Sequence, residues 1–398
     1  MLTDISIENF RSIETAKLTF SPITVFYGPT ASGKSTALYA ILALRNFVLT
    51  PNRQADGFLH LGFMDLGGYD ACVFNHESSR SIKVSLSHNT GNEQYSYGLS
   101  FSKTAADIQQ RYASFVMEAK VSIPYGLNQS FSFEYADGDE EFSVNWNGIT
   151  SSVTPKNPTA DSQQKAQEIA ARLNTSSEVL KGIDIAPHKR GFFKPMYQPA
   201  SVSPTPTTED EVASIIINDP NLAPRISSYS DEIFERDFRL HMLPGTATAY
   251  LQTMTRKSRI PVYLVNDGFG VNQVIYILAK ILRVDVNTLL IEEPEVHLHP
   301  TIIRNFSRTL CSLVKEENKQ VILTTHSELF LAALLTAVSD DIISPSDIKC
   351  YLTMKEKRTT SFTEQAVHEN GQVEGGLSSF IEAEYEDIKK FLGTKAEK

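Results

Sequence analysis

Eight consecutive residues near the amino terminus have the types and the spacing of a loop that binds a triphosphate. They are Gly28, Pro29, Thr30, Ala31, Ser32, Gly33, Lys34 and Ser35, and they match the pattern G-x-x-x-x-G-K-S. In this pattern the glycines let backbone N–H groups surround an anion, the lysine reaches the β- and γ-phosphates, and the serine hydroxyl contacts Mg²⁺. Thr36 begins the predicted helix and is included among the nucleotide contacts. The sequence therefore predicts a nucleoside triphosphate bound with Mg²⁺.

Two later segments carry the groups that hydrolysis of a triphosphate would need. Glu292 and Glu293 follow the apolar run 288–291, and His326 follows the run 320–325. Phosphoryl transfer to water needs a metal on the β/γ oxygens, a group that deprotonates the water, and donors for the charge that develops. We expect Glu292 to lie in the Mg²⁺ shell, usually through a bound water, Glu293 to act as general base and His326 to sense the γ-phosphate.

Other polar groups have weaker patterns. His297 and His299 lack a further His or Cys at ligand spacing, so a loop at a subunit contact is favoured over a zinc site. Three basic groups, at 188–190, 256–259 and 355–358, are candidate DNA contacts. In an acidic chain such groups more often serve solvation, so the DNA interpretation is the weaker one at each of them.

The elements around these segments predict an α/β fold. Residues 3–20 read as a hairpin that leads into a strand at 23–27, which precedes the loop and a helix. From Ile260 onward apolar runs and amphipathic helices alternate, which predicts a mainly parallel sheet with the acidic and histidine tips at its carboxyl edge. Two closing strands are expected at 349–354 and 361–368, followed by a short acidic helix.

The middle of the chain predicts two additions to this sheet. Period-2 runs between residues 81 and 146 indicate antiparallel strands. The stretch 151–258 contains Pro/Ser/Thr-rich segments, helical spacing at 163–181 and a mostly helical pattern over 211–258, which we interpret as an inserted helical arm. The predicted divisions are 1–75 and 259–398 as the two parts of the ATPase domain, 76–150 as a β subdomain and 151–258 as the insertion.

Composition limits the classes of function. The 398 residues are 41% hydrophobic, and the formal net charge is -10, so any contact with nucleic acid is expected to be focal. Three cysteines without metal spacing favour a reducing cytoplasm. No run approaches 18 apolar residues and the first residues lack a secretory pattern, so we expect a cytoplasmic protein without a membrane segment.

The order and separation of the motifs resemble those of ATP-binding-cassette (ABC) heads of the SMC and recombination-repair kind. About 250 residues separate the phosphate loop from the paired acids. The resemblance rests on Asn9–Ser12, on Asp267–Gln273 at the position of the signature helix, on the string LLIEEPEVHLHP and on TTHS. The LLIEEPEVHLHP string is specifically similar to AAA-family ATPases related to OLD proteins. The similarity is close over residues 1–75 and 260–330.

The resemblance implies a P-loop ABC-head fold that binds ATP and Mg²⁺. It assigns Lys34 to phosphate, Ser35 and Glu292 to Mg²⁺, Glu293 to the base and His326 to the switch. Gly268 would complete the site across a dimer. The segment 57–75 offers no glutamine for the metal contact that such heads contain.

The implied function is a cytosolic ATPase that forms a homodimer or higher oligomer around ATP and switches conformation, acting with DNA or a separate effector in repair or defence. The alternative is an ATP-operated scaffold with negligible turnover that restrains or releases an effector. A small-molecule kinase is disfavoured, because such enzymes carry the acid nearer the loop. OLD nucleases add a Toprim domain, but only 72 residues follow His326 and Asp340 and Asp341 are adjacent. Nuclease activity is therefore expected to require a partner chain.

Overall fold

The computed structural model describes residues 1–373. The strands are β1 (Leu2–Phe10), β2 (Ile13–Thr19), β3 (Ile23–Tyr27), β4 (Ile82–Thr90), β5 (Glu93–Phe101), β6 (Ala105–Tyr112), β7 (Phe115–Ser122), β8 (Phe131–Asp137), β9 (Glu140–Trp146), β10 (Ser151–Pro155), β11 (Ile183–Ala186), β12 (Arg236–Met242), β13 (Ala249–Thr255), β14 (Pro261–Tyr263), β15 (Thr288–Glu292), β16 (Gln320–Thr325), β17 (Ile348–Glu356) and β18 (Thr359–Gln365). The helices are α1 (Lys34–Leu49), α2 (Ala55–Phe58), α3 (Gly68–Cys72), α4 (Ala160–Lys181), α5 (Glu209–Asn218), α6 (Leu222–Phe234), α7 (Phe269–Ile281), α8 (Pro300–Glu316) and α9 (Glu328–Ser339).

A six-stranded sheet forms the centre, in the order β11-β15-β16-β3-β17-β18. Its first five strands run parallel, and β18 returns antiparallel beside β17. Strands β3, β15 and β16 are buried along their whole length because both faces of the sheet are covered. The carboxyl ends of β3, β15 and β16 therefore lie side by side, and they carry the phosphate loop, the paired acids and His326.

Alternating side chains of the central strands enter two separate cores. Phe26, Leu290 and Ile322 pack on one side with α1 and α4. Their sequence neighbours, such as Val25 and Leu289, pack on the other side with helices α5 to α9. This alternation follows from the period of 2 along a strand and makes the central sheet the layer between the two cores.

Antiparallel strands cover the α1 side of the molecule. One sheet has the order β2-β1-β4-β5-β6-β7, and a second has the order β10-β9-β8. Strand β6 alternates strictly between exposed and buried positions, as expected for a sheet with one solvated face. The predicted hairpin corresponds to β1 and β2, and the period-2 runs between residues 81 and 146 fall on β4 to β9, whereas β10 lies in the segment predicted as a helical insertion.

The segment interpreted as an inserted arm is differently organised. Helix α4 packs its apolar side chains into the core shared with α1, and β11 pairs with β15 in the central sheet. The prediction of a mostly helical 211–258 is wrong beyond α6. Glu235 adopts a left-handed conformation (φ 57°) that ends this helix, and Phe238 and Leu240 then alternate along β12.

The two closing strands predicted near the carboxyl terminus are present as β17 and β18. The short acidic helix predicted after them lies outside the described residues. Within residues 1–373, no helix combines the length and the apolar character that crossing a bilayer requires.

Candidate functional site

The phosphate loop connects β3 to α1 and is braced from outside by the β17–β18 hairpin. Gly28 (φ 138°) and Gly33 (φ 103°) have left-handed backbones that side chains rarely adopt. A Cβ at Gly28 would lie 2.3 Å from the carbonyl oxygen of Thr353, and one at Gly33 would lie 2.3 Å from Oγ1 of Thr360. No side chain caps the N-terminus of α1. The Thr36 N–H donates to the carbonyl oxygen of Gly33 at 3.0 Å, so the N–H groups of Lys34 and Ser35 are the ones available to an anion.

Lys34 is buried at the base of this loop. Its Nζ donates to the carbonyl oxygens of Gly28 (3.0 Å) and Pro29 (2.8 Å) and lies 3.2 Å from Nδ1 of His326. Burial lowers the pKa of the Lys34 ammonium to about 8, while Glu293 and Glu295 act in the opposite direction. The ammonium is thus already positioned at the loop and is held there by backbone carbonyls.

Glu293 and His326 face each other across the tips of β15 and β16. Oε1 of Glu293 lies 3.0 Å from Nε2 of His326. Glu293 has a left-handed backbone (φ 44°), and its N–H donates to the carbonyl of Thr324 at 2.9 Å. Burial and the charge of Lys34 lower the pKa of His326, whereas Glu293 raises it. The structure thus places Lys34, His326 and Glu293 in one continuous series of contacts.

Glu292 points to the other side of the strand tip, toward α1. It is 3% exposed, and its Oε1 accepts a 2.6 Å hydrogen bond from the Tyr39 hydroxyl. The backbone N–H of His188 donates to Oε2 at 3.3 Å. Ser35 lies one turn before Tyr39 on α1. The Ser35 hydroxyl and the Glu292 carboxylate are oxygen ligands of the kind that Mg²⁺ prefers, so both residues suit the metal.

Glu295 is a site residue that the sequence analysis did not single out. Its Oε1 accepts hydrogen bonds from Oγ1 of Thr325 (2.6 Å) and from the backbone N–H of His326 (3.1 Å). Burial raises the pKa of its carboxyl group. The side chain therefore holds the backbone that carries His326. The sequence feature that could have identified Glu295 is its position two residues after Glu293.

Arg190 is a second residue of this kind. Its buried guanidinium donates to the carbonyl oxygens of Pro187 (2.8 Å), Glu292 (2.6 Å) and Glu293 (2.8 Å). Burial lowers the pKa of Arg190 to about 10. Because these bonds fix the strand tip that carries both acids, Arg190 acts as a positioning residue. Its use as a DNA contact within the group 188–190 is wrong, since the side chain is buried.

Replacing Arg190 by Ala is expected to lower the kcat for ATP by about 10-fold while the Kd for ATP changes little. The substitution leaves buried carbonyls without donors and loosens the position of Glu293, at a cost of about 1–3 kcal/mol. Arg190→Lys should recover part of the rate, because an ammonium replaces only some of the bonds. Arg80→Ala, at a surface ion pair with Glu77, is the matched control. An unchanged kcat in Arg190→Ala would contradict the positioning role.

The loop opens into a cleft of about 800 Å³. Besides Glu293, His326 and the predicted loop residues, the cleft is lined by four basic side chains, Arg11, His76, Lys355 and Arg358. Two of them, Lys355 and Arg358, belong to the group 355–358, so these two side chains face the cleft. Asn75 also lines the cleft, in the segment that lacked a glutamine candidate. The cationic lining suits a polyphosphate.

Gly268 is apart from this cleft. It is exposed at the N-terminus of α7 with φ 66°, and it is not among the described residues that line the cleft. Its neighbour Asp267 is held by Arg236 and by Thr253. Gly268 therefore does not line the cleft of its own chain, and its predicted contribution across a dimer stays a prediction.

The two histidines after the acidic tip have local contacts. Nδ1 of His299 accepts a 3.3 Å hydrogen bond from the N–H of Thr301 and caps α8. The ring of His297 lies 5.7 Å from the ring of Phe269. His299 thus has a structural role at a helix start, and His297 lies beside the exposed beginning of α7.

Comparison with known proteins gives a family match over most of the chain. A family model described as "AAA domain, putative AbiEii toxin, Type IV TA system" matches residues 23–332. The OLD nuclease of Thermus scotoductus is 22% identical in an alignment of 351 positions that covers 83% of this chain and 60% of that protein. Protein ea59 of Escherichia phage lambda is 35% identical over 74 residues, 18% of this chain and 14% of that protein. The chain thus spans less than two thirds of either relative.

Two solved structures of SMC heads also match, each at 12% identity. The SMC head domain from Thermotoga maritima has a TM-score of 0.46, with 91% of this chain and 98% of that chain covered. An Smc head bound to the C-winged helix domain of ScpA has a TM-score of 0.48, with 92% and 98% covered. The family match and the OLD relative confirm the resemblance to AAA-family ATPases related to OLD proteins.

Proposed function

We propose that this chain, which belongs to the AAA-domain family matched over residues 23–332, binds and hydrolyses ATP and couples hydrolysis to a change of conformation. The observation that supports this is the series of contacts at the phosphate loop. Nζ of Lys34 lies 3.2 Å from Nδ1 of His326, and Nε2 of that ring lies 3.0 Å from Oε1 of Glu293. A cation, a sensor and a base therefore meet where the γ-phosphate of a bound nucleotide would lie.

The chain's own residues divide the chemistry between them. Lys34 exchanges its bonds to the Gly28 and Pro29 carbonyls for phosphate oxygens. His326 holds Oε1 of Glu293, and the second oxygen, Oε2, is the atom we assign to accept the proton of the attacking water. Ser35 and Glu292 would hold Mg²⁺, which supplies neutralisation of the β/γ oxygens when it is bound. Arg190 and Glu295 keep the two strand tips in register for this exchange.

The same proposal includes an ATP-linked homodimer. Gly268 lies exposed and outside the cleft. In an ABC-type arrangement the signature-like segment of one chain would close the cleft of the other, so ATP binding would favour association. The dimer would act on DNA or on an effector in repair or defence. We place it in the cytoplasm, because its three cysteines are buried and form no disulfide, as is usual in a reducing compartment.

Steady-state phosphate release from ATP tests the proposal against its alternative. An ATPase releases many phosphates per chain, whereas a scaffold with negligible turnover binds ATP and releases at most one. Turnover that persists after many equivalents of phosphate supports the ATPase. ATP binding with release that stops at one equivalent would favour the scaffold.

The 398-residue chain alone is expected to leave DNA intact. Asp340 and Asp341 directly follow α9, and Asp340 is paired with Arg308. A nuclease centre needs carboxylates that converge on a metal. Supercoiled and linear plasmid should therefore remain uncut with Mg²⁺ or Mn²⁺, as judged on a gel. Cleavage that persists in Lys34→Ala but is abolished by a substitution outside the ATP site would reveal another active centre.

A further inference from the structure

The three-stranded sheet β12-β13-β14 presents rings and polar groups on its outer face. The register pairs His241 with Tyr250, and it pairs Gln252 with both Arg239 and Tyr263, so all five side chains share one face. The rings of His241 and Tyr250 are 6.1 Å apart, and those of Tyr250 and Tyr263 are 5.5 Å apart. We call these five residues the outer platform.

The platform forms one wall of a groove of about 920 Å³, and the first half of α6 forms the other wall. All five platform residues line this groove. Tyr263 is 38% exposed, so its ring is open to a ligand. Ring centroids 5.5 and 6.1 Å apart are those of aromatic pairs in contact, so the three rings form one continuous surface on which flat, aromatic groups can stack.

Cations lie at the end of the platform. The turn between β13 and β14 carries Arg256, Lys257 and Arg259. Arg256 is paired with Asp231, whereas Lys257 and Arg259 form no ion pair with any of the described residues 1–373. Arg239 on the platform is paired only at 3.6 Å, with Asp237. Lys257 and Arg259 can therefore complement an anion, although the net charge of the chain is negative.

We propose that the outer platform binds single-stranded nucleic acid. Every base has a π face that can stack on Tyr250, Tyr263 or His241, and the phosphates would meet Lys257 and Arg259. A duplex is a poorer ligand, because its bases are stacked on each other and offer no free face to these rings. A peptide is also poorer, since it would lack the regular phosphate charge that the turn complements.

The inner face of the same sheet contacts the signature-like loop. Arg236 of β12 and Thr253 of β13 both contact the carboxylate of Asp267, next to Gly268. A ligand that shifts the platform would therefore act on the segment that we propose closes the partner's ATP site. That consequence rests on the proposed function, whereas the binding of nucleic acid does not.

Fluorescence anisotropy with a labelled 20-nucleotide oligothymidine tests the proposal on the full chain. The wild type should bind, and the double variant Tyr250→Ala/Tyr263→Ala should bind at least 10-fold more weakly, because two stacking rings are lost. Tyr250→Phe/Tyr263→Phe keeps the rings and should bind within a few-fold of wild type. Lys257→Ala/Arg259→Ala should reduce the slope of log K against log salt by about 1.4, at roughly 0.7 per single-strand contact.

Controls separate binding at the platform from general attraction. Lys120→Ala, an exposed lysine on β7, should leave the salt slope unchanged. The Ala variants must keep the wild-type circular dichroism and melting temperature, and the Phe pair covers the case in which they do not. Equal binding by the Ala and Phe pairs, or equal binding of duplex and single strand, would overturn the proposal. Absence of ATP turnover with oligothymidine binding intact would count against the proposed function alone.

Discussion

Replacing Glu293 by Gln is expected to lower steady-state ATP turnover by about 100-fold or more, while ATP still binds. A general base contributes about 10²- to 10⁴-fold, and an amide cannot accept the proton of the attacking water. The amide oxygen can still accept the hydrogen bond that Nε2 of His326 now makes at 3.0 Å. Geometry at the strand tips should therefore persist. Phosphate release gives the rate, and equilibrium binding of labelled ATP gives the affinity.

Two comparison variants make this result specific. Lys34→Ala should weaken ATP binding itself, because the ammonium at the phosphate loop is removed. Glu118→Gln makes the same chemical change on the solvated face of β7 and should leave turnover as in the wild type. Turnover close to wild type in Glu293→Gln would remove this residue from the mechanism and favour another group as the base.

Two inactive variants are expected to restore part of each other's activity when they are mixed. A chain with Lys34→Ala lacks the phosphate contact. In a chain with Gly268→Arg, the new side chain should block the segment that we propose closes the partner's site. A heterodimer of the two retains one intact composite site. Because at most half of the dimers are mixed and each has one such site, recovery should reach about a quarter of the wild-type ATPase rate.

The control for this experiment is a glycine with matched geometry. Gly268 has φ 66°, and no atom lies within 4 Å of the position that a Cβ would take, so arginine has space there but a strained backbone. Gly138 has φ 63° and equally open surroundings in the turn between β8 and β9, so Gly138→Arg reports the strain alone. Lack of recovery despite demonstrated subunit exchange would decide against a shared site.

Sedimentation tests the same dimer by measuring the mass of the protein with each nucleotide. In the Glu293→Gln background the ATP-bound state should accumulate, and ATP should promote a dimer that ADP does not. The same mass with ATP and with ADP would show either a constitutive oligomer or a site that one chain completes.

The sequence by itself determined which polar groups follow the buried strands, because each group is part of a short local pattern. A buried strand followed by GPTASGKS, a second followed by Glu292 and Glu293, and a third followed by His326 each specify their own polar tip. Parallel strands then bring such tips to one edge of a sheet, whatever lies between them in the chain. The position of β16 between β15 and β3 then brings His326 to 3.2 Å from Lys34 and 3.0 Å from Glu293.

Only the tertiary structure decided which residues support that edge. Arg190 reaches the Glu293 carbonyl across 103 positions, and Thr360 meets Ser32 across 328. The hydrophobic periodicity of the sequence does not predict such partners, because they depend on which strands become neighbours in the sheet. The joining of β11 to the central sheet has the same cause. Helix α6 ends because Glu235 adopts a left-handed backbone conformation. Glycine or asparagine is the usual residue in that conformation, so a glutamate in the sequence does not predict a helix end.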